Sequence, residues 1–238
     1  MQRKQEISEG KKKVEEIKKK PVPRAYTFEN PKYRVGKVLL SSSELRRAGQ
    51  YCMDLHNYYI HKLQDIIVAY KERHFLQLEG TEGIFTVAFS GLFDLFNLDA
   101  LDFSLLQCFS LHMQQETRRR TRKKCGYIDP QMMTATLMTS DRAGLIRYMV
   151  RCMREHADKE HIVVTYNPGN HWLTLVINVK SKQVFYLDSR IPSDEWRKPK
   201  IRDYSLVISI LDESLDRHLR AAEGYKEQCR VAFTHHTA

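Results

Sequence analysis

The chain has 238 residues, a formal net charge of +10 and 42% hydrophobic residues. That is enough for one large globular domain plus an extension. No stretch approaches the ~18 consecutive apolar residues of a membrane span, and no apolar signal core opens the chain, so a soluble protein is expected. The excess of Lys and Arg admits acidic partners, nucleic acid included, without selecting one.

Residues 1–24 are dominated by Lys, Glu, Arg and Gln and end at "PVPR", where Pro21 and Pro23 break any helix. They read as a basic flexible arm, either solvated or serving nuclear import or nucleic-acid binding. A helical extension is expected over 25–75. Within it Ser43 is a candidate cap for a helix over 43–71, because Leu45, Ala48, Cys52, Leu55, Tyr59, Leu63, Ile66 and Ile67 recur at helical spacing. "TEGIFTVAF" from Thr81 fits a short strand or a helix start equally well. Asp99 or Asp102 suits the start of a helix over 100–120, whose "ETRRR" end places cations at a helix C-terminus.

"GYIDPQMM" marks a turn at Pro130, and "DRAGLIRYMVRCMREHADKE" is amphipathic over 141–155. Beyond Glu160 the hydrophobic period changes from helical to alternating. Strands are expected at 161–167, 171–179 and 183–189, with "NPGN" and "KSK" as the turns. "RDYSLVISILDESLDRHLRAAEG" is then an amphipathic helix through Leu206, Ile210, Leu211 and Leu215. The organisation expected is α+β, with a mostly antiparallel sheet. The main domain covers 76–224, and residues 225–238 form a divergent tail.

The hairpin places His171 and Asp188 at the same end, each roughly eight residues from the turn, with a small bulge or a longer turn to bring them opposite. A carboxylate that accepts one imidazole N–H fixes the tautomer, and the other nitrogen can take a proton from a thiol or hydroxyl. The five cysteines, Cys52, Cys108, Cys125, Cys152 and Cys229, are odd in number and form no CxxC pair. A disulfide framework and a structural zinc site therefore have little support, and a reducing nuclear or cytoplasmic setting fits, with the nucleus slightly favoured. No metal and no cofactor are expected.

The string from "HIVVTYN" through His171–Trp172 to "FYLDS", together with "LDALDFSLLQCFSLHM", resembles the ubiquitin-like-protein-specific (SUMO) cysteine protease family, in the style of its plant transposable-element branch. The resemblance covers roughly Phe75 to Gly224. It implies a papain-like cysteine peptidase fold with the chain order His, Asp, Gln, Cys. It also implies His171 as general base, Asp188 as its orienting partner, Trp172 along a tunnel for a Gly-Gly tail, and a SUMO-type modifier as partner. "ALDF" at Ala100–Phe103 stands where the family has a Trp-Leu-Asn-Asp signature. At the tail, Gln228 and Cys229 are adjacent and Arg230 replaces the family's glycine. Cys229 is the candidate nucleophile by chain order, and the tail reads as truncated or divergent. The expectation is a peptidase-type domain with little or no activity in this chain. A silent modifier-binding remnant and a basic nucleic-acid-associated protein are the alternatives.

Overall fold

The computed structural model describes residues 32–70, 83–120, 125–168, 171–189, 204–223 and 231–237. The expected arm at 1–24, the turn residues Gly169 and Asn170, and the Gln228–Arg230 segment with Cys229 lie outside the described residues. The chain divides into two compact units, Met1–Tyr70 with Ile84–Ser104, and Lys71–Gly83 with Leu105–Ala238.

In the first unit, α1 (Ser42–Ala48) and α2 (Gln50–Lys62) replace the single expected helix over 43–71. Gly49 separates them at φ 90°, a left-handed setting that glycine adopts without a Cβ penalty. Ser41, rather than Ser43, is the cap. Its hydroxyl accepts from Glu44 N while the Glu44 carboxylate accepts from Ser41 N, a reciprocal capping box. Leu63 ends α2 in a left-handed conformation, and the β-branched run that follows is a strand, β1 (Ile66–Ala69), paired antiparallel with β2 (Ile84–Val87). The helix α3 (Phe89–Phe96) follows at once, so "TEGIFTVAF" holds both a strand and a helix start. Tyr59 stacks on Phe89 with ring centroids 4.3 Å apart, and both are buried.

The helix α4 (Phe103–Arg120) opens with Asp102 accepting from Ser104 N at 2.8 Å. The second unit then contains β3 (Cys125–Tyr127), a short 3-10 turn at Pro130–Met132, α5 (Ala135–Ser140) and α6 (Arg142–Glu155). Next come β4 (His161–Tyr166), β5 (Leu173–Asn178), β6 (Gln183–Leu187), α7 (Ser205–Glu223) and β7 (Thr234–Thr237). Five strands form one sheet in the order β3-β4-β5-β6-β7. Its centre is antiparallel, as expected, but both edge pairings, β3 with β4 and β6 with β7, are parallel. The sheet is therefore mixed.

Strict alternation in β4, β5 and β6 turns Ile162, Val164, Tyr166, Leu173, Leu175, Ile177, Val184 and Tyr186 into a single core. The apolar stripes of α6 (Leu145, Met149, Cys152) and α7 (Val207, Ile210, Leu211, Leu215) belong to that same core. Arg142 ties the two helices together, reaching Ser209 Oγ at 2.8 Å and Glu213 at 2.9 Å. In this sheet β3 and β7 escaped the sequence reading. Gly126 in β3 lies so close to the buried His156 that a Cβ there would come within 2.5 Å of its Nδ1. The strand β7 arises from the expected divergent tail.

Candidate active site

The β5–β6 hairpin positions the site. Its register pairs Asn178 with Gln183 and Thr174 with Leu187. One further step sets Asp188 opposite Leu173, and His171 stands two residues beyond as a diagonal neighbour, a separation that long side chains cover. Both positions share the parity of the buried face, 171 with Leu173 and Leu175, and 188 with Val184 and Tyr186. The side chains can thus meet on one face without the bulge that the sequence arithmetic allowed for.

The His171 Nε2 atom lies 2.8 Å from Asp188 Oδ1, and the two side chains are 16% and 11% exposed. With an ionised carboxylate as acceptor, Nε2 carries the proton and Nδ1 is the nitrogen with base character. The Tyr204 hydroxyl donates to Asp188 Oδ2 at 2.9 Å. Each carboxylate oxygen therefore has a named donor, one on the base and one at the residue preceding α7. Trp172 follows His171 directly and is half-buried.

The described thiols of the second unit, Cys108, Cys125 and Cys152, do not share this setting. Cys152 is buried in the core, and burial pushes its thiol up to about 12. Burial also raises the Cys108 thiol. Cys125 pairs with His161, the first residue of β4, whereas Tyr166 at the other end of that strand pairs with Leu173, two residues from His171. A working nucleophile requires the opposite shift, toward thiolate. Cys229 lies outside the described residues, but the strand after it is placed. Val231 N donates to Asp216 Oδ1 at 3.0 Å, and Thr234 N donates to Lys182 O at 2.8 Å. Lys182 closes the β5–β6 turn, the end of the hairpin opposite Asp188.

A second His–Asp contact was not anticipated. His235 Nε2 lies 2.9 Å from Asp212 Oδ1, and His235 Nδ1 lies 2.8 Å from the Tyr186 hydroxyl. Phe233 N also donates to Asp212 Oδ1, at 2.9 Å. The buried carboxylate of Asp129 accepts two bonds from Gln107 Nε2 at 2.9 and 3.0 Å, and desolvation raises it to about 6. Tyr204, His235 and Asp212 belong to no short motif. The only trace of the second contact is the polar "THHT" run, which carries no strand signal.

Among the described residues no group of three or more His, Cys, Asp and Glu side chains could hold a metal ion. No curated protein matches this chain. Solved structures are similar to it, among them two SUMO-protease structures. One, described as a de-sumoylating protease, is 14% identical over 73% of this chain and 63% of that chain, with a TM-score of 0.47. The chain thus spans less than two thirds of that protein's length. The other is the C-terminal Ulp1 protease domain in complex with Smt3, the yeast ortholog of SUMO. It is 13% identical over 74% of this chain and 67% of that chain, with a TM-score of 0.39. The family model for the C-terminal catalytic domain of the Ulp1 protease family matches residues 98–229, more than half of the sequence. The chain belongs to the Ulp1 protease family.

Proposed function

We propose that this domain carries the base and orienting carboxylate of a thiol peptidase acting after the Gly-Gly of a ubiquitin-like modifier, a SUMO-type modifier being the first candidate. We propose further that the 238-residue chain binds such a modifier and turns it over little or not at all. The observation that carries the reading is the 2.8 Å contact of His171 Nε2 with Asp188 Oδ1.

In the reaction this geometry fits, His171 Nδ1 accepts the proton of a thiol. The thiolate adds to the glycine carbonyl carbon, the proton passes to the leaving amine, and a thioester remains for water to hydrolyse. Removing a conjugate and trimming a precursor are the same chemistry at this centre. Trp172, beside the base, is the candidate wall for the Gly-Gly tail. A nuclear setting belongs to the proposal and is supported only by the +10 charge and the thiol count.

The nucleophile is the weak member. Chain order alone offers Cys229 as the nucleophile, and Arg230 beside it stands where the family has glycine, which supports low turnover. The strand β7 that follows Cys229 begins at Thr234, whose amide donates to Lys182 O at the end of the hairpin away from Asp188.

The test is to purify the 238-residue chain and assay it on a panel of modifier–fluorophore substrates, with modifier binding measured in parallel. Binding without turnover is expected. Turnover lost in both Cys229→Ser and His171→Ala would make Cys229 the nucleophile. Absence of binding to every modifier in the panel would overturn the modifier reading.

A further inference from the structure

We propose that Tyr204 is a positioning residue for the His171–Asp188 pair, holding the carboxylate at the rotation that aims Oδ1 at the imidazole. The inference rests on the proposed role of that pair and extends it to a residue outside the hairpin.

An aspartate at a strand end has a soft terminal torsion, so its two oxygens exchange places readily unless a second bond fixes them. Asp188 directly follows Leu187, the last residue of β6. Tyr204 supplies the second bond: its hydroxyl donates to Oδ2 at 2.9 Å while Oδ1 faces His171 Nε2 at 2.8 Å. A carboxylate so held keeps the ring in one tautomer and one orientation.

Tyr204 is itself firmly placed. Its residue is 7% exposed, and its ring stacks on Tyr186 at 5.0 Å and 15°. The Tyr186 hydroxyl lies 2.8 Å from His235 Nδ1, and His235 Nε2 lies 2.9 Å from Asp212 on α7. Tyr204 O accepts from Ile208 N at 2.9 Å, so the residue also starts the ladder of α7. A side chain anchored by a stack and a helix start loses little freedom when it donates, which makes it an effective orienting group. The same anchoring links the pair to the strand β7 and the helix α7 without either touching a substrate.

The experiment reads the ring proton shared by His171 Nε2 and Asp188 in the full 238-residue chain, through its resonance and its exchange rate with water. Tyr204→Phe keeps the ring and its stack and removes only the donor. We expect exchange to quicken by about tenfold, the effect of losing one hydrogen bond of ordinary strength. Tyr204→4-aminophenylalanine, which restores a para donor, should bring the rate back toward that of the original protein. A merely structural tyrosine would give Phe and 4-aminophenylalanine variants with the same ring proton. Asp188→Ala serves as the reference. If it quickens exchange and Tyr204→Phe does not, the positioning role is overturned and the pair stands. If neither changes the proton, the pair itself fails, and the Tyr204 proposal fails with it.

Discussion

Two His–Asp contacts lie in the same unit at nearly the same distance, 2.8 Å for His171–Asp188 and 2.9 Å for His235–Asp212. Their exposures are also close, 16% and 11% against 16% and 18%. What separates them is where the additional bonds go. In the second contact the Tyr186 hydroxyl meets the other ring nitrogen, and the carboxylate also takes Phe233 N, so the group ties the strand β7 to α7. In the first the Tyr204 hydroxyl donates to the carboxylate. The two contacts are alike in distance and burial and differ in the further bonds that join them, Tyr186 and Phe233 N for His235–Asp212 and Tyr204 for His171–Asp188.

The comparison breaks most sharply at the two carboxylates. Asp212→Ala removes the acceptor of a backbone amide and of an imidazole at once, and should lower unfolding free energy by about 2–4 kcal/mol in urea titration. Asp188→Ala removes the acceptor of the His171 imidazole and the Tyr204 hydroxyl and should cost about 1–2 kcal/mol. A larger loss for Asp188→Ala than for Asp212→Ala would make the first contact the structural one.

Asp129 sharpens the point as a carboxylate with no histidine among its bonds. Only neutral amides donate to it, and burial raises it from 3.8 to about 6. Folded protein then holds this proton more tightly than the unfolded chain does. The stability it contributes is complete below about pH 4 and is lost as pH rises through about 6. Asp129→Asn should flatten that slope and gain about 2 kcal/mol relative to the original at pH 7, read by urea titration at several pH values. The smallest effect is expected of Tyr186→Phe. It removes the donor facing His235 Nδ1 and should cost about 1 kcal/mol in the same titration, leaving the His171 ring proton in place.

The hairpin and its parity were legible because alternation in "HWLTLVINV" and "QVFYLDS" forces residues of equal parity onto one face. The meeting of His171 and Asp188 follows from that parity. The amphipathic stripe of α7 through Ile210, Leu211 and Leu215 was equally plain. The helix over 43–71 was overdrawn, because helical spacing continued through Gly49 and into Ile66–Ala69, where β-branched residues pair with Ile84–Val87 instead. The strands β3 and β7 have three and four residues, and their partners are far away in sequence, so local pattern carries no trace of them. Tyr204 lies 16 residues from Asp188 and in no motif; only the folded packing brings it there.

The most direct test of the central claim is a titration of the 238-residue chain with a SUMO-type modifier, observing the ring signals of His171, Trp172 and His235. A modifier ending in Gly-Gly should shift His171 and Trp172 and leave His235 unmoved, and the same modifier without that tail should shift neither of the first two. An unmoved His171, or a shift at His235 instead, would contradict the assignment of the two pairs.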